Sequence, residues 1–144
     1  MSRFAAVRWR VQPLVREHEE GQTRSLRNRI EARLDGDIEV LVTHIDRGPL
    51  KARMIGNALE RLEAVEHGIL LGDLNAQASH EGLVDLSTRG MVDALAGLDG
   101  YAHHIDWIIV KGGHVIGSGA VAKSSSDHPA YWADVRFPFG VRGP

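Results

Sequence analysis

The apolar positions of the chain follow two periods, and each period predicts a type of element. Apolar and polar residues alternate over 26–34, which predicts a strand with one buried apolar face. A turn signal at 35–37 separates it from a β-branched run at 38–43, which predicts a strand buried on both faces. Over 50–66 the apolar residues recur every three or four positions. This spacing predicts an amphipathic helix, with Gly68 as the residue that ends it.

Short strands are predicted to dominate the rest of the chain. They lie at 4–11, 69–71, 105–110, 114–121 and 131–137. A weaker helical pattern at 81–86 precedes an apolar cluster at 91–98. Strands that alternate with helices favour a layered α+β or α/β fold.

Composition narrows the class of protein. The chain has 144 residues, enough for one domain (1–144) with a core of its own. It has no cysteine, which excludes disulfides, thiolate metal sites and a cysteine nucleophile. No signal-peptide pattern or membrane-length apolar run is present, so we expect a cytoplasmic protein with no membrane partner. The net charge of -2 gives no general attraction to nucleic acid, although a local basic strip can still bind phosphate.

Polar residues suited to catalysis cluster at the predicted strand ends. They are His44, Asp73, Asn75, Asp106, Asp127 and His128. A rigid sheet commonly positions catalytic side chains in this way. Because an aspartate inside a strand is costly to bury alone, Asp106 requires a partner, and a histidine of the same set is the natural candidate.

Several of these residues also have a purely structural interpretation. Asp73 and Asn75 are typical of an Asx turn after a strand, and His44 is equally consistent with a structural hydrogen bond. The pair His103-His104 is expected to flank the site as a solvated loop. The strand tryptophans, Trp107 and Trp132, fit core positions.

Four short motifs together resemble a known family. In chain order they are VTH at 42–44, GDLN at 72–75, IDWI at 105–108 and SDHP at 126–129. Over about residues 24–137 this order resembles the C-terminal half of the endonuclease/exonuclease/phosphatase superfamily, whose fold is that of DNase I. The resemblance implies half of a DNase I-like αββα sandwich, with a mixed, mostly antiparallel sheet and helices on one face. Because half a sandwich leaves one sheet face uncovered, we expect a homodimer to complete it.

The same resemblance implies a divalent-metal-dependent phosphodiesterase. His128 corresponds to the family's general base or transition-state partner, and Asp106 to the carboxylate that orients it. Asp127 corresponds to a ligand of Mg²⁺ or Mn²⁺. Asp73 would orient or deprotonate the attacking water.

The remaining assignments concern the substrate. By the resemblance, Asn75 would donate its amide to a phosphate oxygen, and His44 would contact the phosphate or assist the leaving group. Arg27, Arg29 and Arg33 share one face of the predicted 26–34 strand and favour a nucleic-acid substrate, although such a face is usually only solvated.

The family's N-terminal asparagine and metal-binding glutamate have no counterpart in this sequence. From the four motifs and the arginines of the 26–34 strand, the first hypothesis is a nuclease. The alternative is a non-catalytic half-domain that serves binding or assembly, or one that acts only with a partner.

Overall fold

The computed structural model describes residues 6–14, 28–100, 104–121 and 126–138. In these ranges the strands are β1 (Ala6–Pro13), β2 (Asn28–Leu34), β3 (Ile38–His44), β4 (His67–Asp73), β5 (Met91–Asp93), β6 (Asp106–Lys111), β7 (His114–Val121) and β8 (Ala130–Arg136). The α-helix of the described residues is α1 (Lys51–Glu63), and a short 3-10 helix spans Leu86–Arg89. The predicted strand residues 4–5 and 26–27 lie outside the described residues.

Six strands form one mixed sheet in the order β1-β2-β3-β4-β6-β5. Strands β3 and β4 are parallel and are connected through α1, whereas the other neighbouring pairs are antiparallel. The predicted α+β class with a mixed, mostly antiparallel sheet is therefore confirmed. Parallel strands end at the same edge, and an antiparallel neighbour begins there. The register consequently pairs His44 with Asp73, and Asp73 with Asp106.

Helix α1 covers one face of this sheet. Its apolar stripe is buried against the sheet: Met54, Ile55, Ala58, Leu59 and Leu62. The prediction that Gly68 ends the helix is wrong, because α1 ends at Glu63 and Gly68 lies inside β4. A Cβ at Gly68 would lie 2.7 Å from the Leu62 side chain, so the glycine allows close packing of helix on strand.

The helix-facing side of β2 differs from the prediction. We expected the apolar positions of 26–34 to form the buried face, but Glu31 is 3% exposed and Ile30 is 47% exposed. Burial of Glu31 is possible because arginines from β1, β2 and α1 surround its carboxylate. The arginine partners lie far apart in sequence, which is why alternation alone assigned the wrong face.

A two-stranded sheet, β7-β8, packs on the opposite face. Tyr131, Ala133 and Val135 of β8 contact a second core cluster there, which includes Ile108 and Val110 of β6. The part of this face formed by β1, β2 and β3 is exposed instead. Its exposed apolar side chains are Trp9, Val11, Ile30 and Val42.

Two further predictions are wrong. Residues 81–85 form turns ahead of the 3-10 helix rather than a helix over 81–86. Trp132 is 49% exposed and lies over Gly119 on the outer side of the hairpin, whereas Trp107 is buried as predicted.

Among the described residues, no helix is long and apolar enough to cross a bilayer.

Candidate functional site

The edge where β3 and β4 end and β6 begins gathers the polar residues that the sequence singled out. Gly72 allows this edge to form, because its φ of 138° and its contact with the Thr43 carbonyl exclude a side chain. The next residue, Asp73, then lies between His44 and Asp106 in the sheet. Two carboxylates that face each other across neighbouring strands repel each other, so this edge favours a cation or a protonated imidazole.

His128 supplies such an imidazole from the segment ahead of β8. Its Nδ1 lies 2.7 Å from Asp106 Oδ2, and its backbone N–H donates to Ser126 Oγ at 3.1 Å. The hydrogen bond to Asp106, reinforced by that residue's charge, raises the pKa of His128 above its ordinary value. The sequence-based expectation that Asp106 has a histidine partner thus agrees with this geometry.

Asp73, Asn75 and His44 form the other half of the site. Asp73 Oδ1 accepts from the Asn75 backbone N–H at 2.7 Å, which is the Asx turn that the sequence allowed. Asn75 has a φ of 49°, an uncommon backbone conformation that tends to occur at functional sites. Its amide nitrogen donates to the Ile45 carbonyl at 2.7 Å and lies 3.5 Å from His44 Nε2. His44 is itself 3.5 Å from Asp73 Oδ2, a loose contact.

The structure offers one group of described residues that could hold a metal ion. Asp73, Asp106 and His128 each present a ligand atom, and these atoms lie within 4.8 Å of one another. Two carboxylates suit Mg²⁺ or Mn²⁺, which prefer oxygen ligands and retain several waters. Asp127, the predicted metal ligand, lies outside this group; its side chain is 94% exposed and its Oδ2 is 3.9 Å from His128 Nε2.

Sequence patterns missed two features beside the site. His104, which we expected in a solvated loop, instead packs edge-on against Tyr131 and hydrogen-bonds its hydroxyl; His103 lies outside the described residues. Burial, with a contribution from the Asp106 charge, raises the pKa of Tyr131. The signal was available, because both residues adjoin motifs: His104 precedes IDWI and Tyr131 follows SDHP.

The second missed feature is basic. Arg47 Nε donates to Asn75 Oδ1 at 2.7 Å, and Lys51 Nζ donates to the Asn75 carbonyl at 3.1 Å. Two cations therefore contact a residue of the predicted site. Neither residue belongs to the four motifs, and the sequence pattern placed Lys51 only in the helix predicted over 50–66.

Solved structures share this fold. An endonuclease/exonuclease/phosphatase from Beutenbergia cavernae matches with a TM-score of 0.68 and 18% identity, over 94% of this chain and 45% of that one. The human Nocturnin catalytic domain with bound sulfate matches at 0.67 and 20%, over 94% and 60%. A 3′ phosphatase from Neisseria, NExo, bound to a product DNA hairpin, matches at 0.63 and 13%, over 94% and 73%.

The chain thus spans between 45% and 73% of the lengths of these three structures. No family model matches it, and no curated protein matches it either. The likeness is one of three-dimensional structure, at sequence identities of 20% or less. Over the described residues, this chain has the fold of the endonuclease/exonuclease/phosphatase proteins.

Proposed function

We propose that this chain is a divalent-metal-dependent phosphodiesterase that acts on nucleic acid. The observation that carries the proposal is the convergence of Asp73, Asp106 and His128 at one edge of a sheet of this fold. Such a convergence has little value for stability, because it brings two carboxylates together at a partly exposed edge.

Each residue has a role that its contacts support. Asp106 orients the His128 ring and stabilises its charged form, so the imidazolium presents a positive charge to a phosphate oxygen. Asp73 presents a carboxylate oxygen within 4.8 Å of ligand atoms of Asp106 and His128 and would position the attacking water. Asp73, with Asp106 or the exposed Asp127, would hold the cation, which supplies charge stabilisation at the phosphate when bound.

Nucleic acid is the substrate class that we favour, on two grounds. The NExo structure of the same fold holds a product DNA hairpin, and the Nocturnin structure binds a sulfate, an anion of phosphate-like shape. The arginines of the predicted 26–34 strand support a nucleic-acid substrate less than the sequence suggested. Arg29 is bound to the buried Glu31, and Arg33 pairs with Asp37.

Hydrolysis assays on purified protein test the proposal. The substrates are plasmid DNA, single-stranded DNA and bis(p-nitrophenyl) phosphate, each with Mg²⁺, with Mn²⁺ and with EDTA. His128→Ala should lower the rate by about a hundredfold or more, since loss of one group that stabilises transition-state charge typically costs that much. His114→Ala is the matched control, because His114 is an exposed histidine on β7 and lies outside the site.

Two outcomes separate the hypotheses. Metal-dependent turnover that His128→Ala removes and His114→Ala retains supports the enzyme. Equal rates for wild type and His128→Ala, or rates that EDTA does not change, would favour the non-catalytic half-domain instead.

We also propose that a second copy of the chain covers the open sheet face. Trp9, Val11, Ile30 and Val42 form this apolar patch on neighbouring strands, with Val11 paired to Ile30 and Ile30 to Val42. Large apolar patches without cover are rare on monomers, and a two-fold axis would pack the same surface against itself. Size-exclusion chromatography with light scattering should show a dimer for wild type and a monomer for Ile30→Glu. A folded wild-type monomer at all concentrations would contradict this.

A further inference from the structure

Arg47 and Lys51 differ from five other basic side chains in the described residues. Arg10, Arg29, Arg33, Arg61 and Arg89 each pair with a carboxylate. Among the described residues, neither Arg47 nor Lys51 forms an ion pair with a carboxylate, and the partner of both is Asn75. Within the described part of the chain, therefore, no carboxylate neutralises their positive charge through an ion pair.

Both side chains line an open groove of about 360 Å³ next to the candidate site. Asn75 and Ile105 form the wall that the groove shares with the site, since Ile105 directly precedes Asp106. Ala76, Gln77, Ser79 and His80 line the rest, and no acidic residue among those that the structure describes lines it.

The local backbone adds to the positive potential of this groove. Lys51 is the first residue of α1, whose N-terminus has neither a side-chain cap nor an acidic residue in its first turn. The unpaired N–H groups of a helix start favour an anion. His80 Nδ1 accepts a hydrogen bond from the Gly82 N–H at 3.2 Å. The ring hydrogen is therefore on Nε2, which can donate a hydrogen bond.

We infer that Arg47, Lys51 and His80 form a subsite for a second phosphate of the substrate, next to the phosphate that is hydrolysed. The inference rests on the proposed function and narrows its substrate. In a polynucleotide every internal phosphodiester has a phosphate neighbour on the same strand, so the groove selects an oligonucleotide over a substrate with one isolated phosphodiester. Asn75 couples the two sites, because its side chain contacts both His44 and Arg47.

The kinetic test compares Lys51→Gln with Lys111→Gln. The two lysines are matched, because each Nζ donates to a backbone carbonyl, but Lys111 contacts Glu63 at the other end of β6 and α1. We expect Lys51→Gln to lower kcat/KM for a short single-stranded DNA by about tenfold more than for bis(p-nitrophenyl) phosphate. Lys111→Gln should change neither value. Equal losses on the two substrates in Lys51→Gln would overturn the subsite while leaving the proposed phosphodiesterase intact.

A binding test makes the result independent of turnover. A fluorescein-labelled single-stranded DNA is titrated, by fluorescence anisotropy, with His128→Ala protein with and without Lys51→Gln. The added substitution should weaken binding. It should also make the negative slope of log affinity against log salt shallower by about 0.7, the value for one lost phosphate contact on a single strand. If the slopes differ in this way but wild type shows no turnover, the result would support the second-phosphate subsite and contradict the proposed phosphodiesterase activity. An unchanged slope, or no binding, would overturn the groove.

Discussion

Two networks of charged side chains in this molecule use similar residue types in opposite ways. The Glu31 cluster, on the helix side of the sheet, consists of Glu31 with Arg10, Arg29 and Arg61. The Asp106 cluster, at the sheet edge, consists of Asp73, Asp106 and His128. In the first, one buried carboxylate has several cations around it; in the second, two carboxylates share one imidazole.

The difference in burial indicates which of the two networks stabilises the fold. Glu31 is 3% exposed, so its charge is tolerated only because the arginines compensate for lost hydration. The side chains of Asp106 and His128 are 21% and 31% exposed, and water can reach them. An accessible group rich in carboxylates can bind a cation, whereas a buried carboxylate that arginines already neutralise cannot. We therefore expect substitutions in the Asp106 cluster to lower activity and substitutions in the Glu31 cluster to lower stability.

Asp106→Asn should have the largest effect on activity. The amide cannot hold the His128 ring as a charged partner, and loss of such an orienting carboxylate typically lowers turnover by about a hundredfold to ten-thousandfold. The melting temperature should stay within a few degrees, because removal of one carboxylate relieves repulsion with Asp73. Phosphodiester hydrolysis and thermal unfolding are measured on the same samples. Asp134→Asn, on the exposed face of β8, is the matched control.

Glu31→Ala should have the largest effect on stability. It leaves Arg29 partly buried without its carboxylate partner, whereas Arg61 keeps Glu39, and breaking a buried pair costs roughly 3–5 kcal/mol. Glu63→Ala breaks a more exposed pair with Arg89 and should cost about 1 kcal/mol or less. Urea unfolding gives both free energies. If the two substitutions cost the same, the Glu31 cluster is not what stabilises this side of the sheet.

The contrast between the clusters also explains what sequence reasoning could reach. His44, Asp73 and Asp106 were predictable as members of one site, because strand ends can be read from local apolar runs and the resemblance of the four motifs implies that these ends meet. The burial of Glu31 was not predictable, since its partners come from β1 and α1, and an Arg-Glu alternation in β2 looks like a solvated face. The prediction for Trp132 was wrong for a different reason: Trp132 shares its face of β8 with Asp134 and Arg136, so the alternation itself assigns it to the exposed side.

His44→Ala should have a smaller effect than Asp106→Asn. His44 is 57% exposed, and its contacts with Asp73 and Asn75 are both 3.5 Å, so it is held less tightly than Asp106 and His128, which are 2.7 Å apart. We expect a loss of about tenfold in kcat/KM, at the low end for a group that contacts the phosphate. His114→Ala again controls for loss of a histidine. A loss as large as that of Asp106→Asn would place His44 at the centre of the site instead of its margin.

The smallest expected effect is a pH dependence that distinguishes the two clusters. Burial opposes ionisation of Glu31, but hydrogen bonds from Arg29 and Arg10, with the charges of Arg29 and Arg61, outweigh it and lower the pKa of Glu31 below its ordinary value of 4.5. A carboxylate whose pKa is lower in the folded state stabilises the fold above its unfolded pKa, and this stabilisation is lost as the pH falls through the folded value. The difference in unfolding free energy between wild type and Glu31→Gln should therefore be constant near neutral pH and decrease below about pH 4.5. Urea unfolding at a series of pH values measures it, and a difference that stays constant into the acid range would show that Glu31 contributes through packing and not through charge.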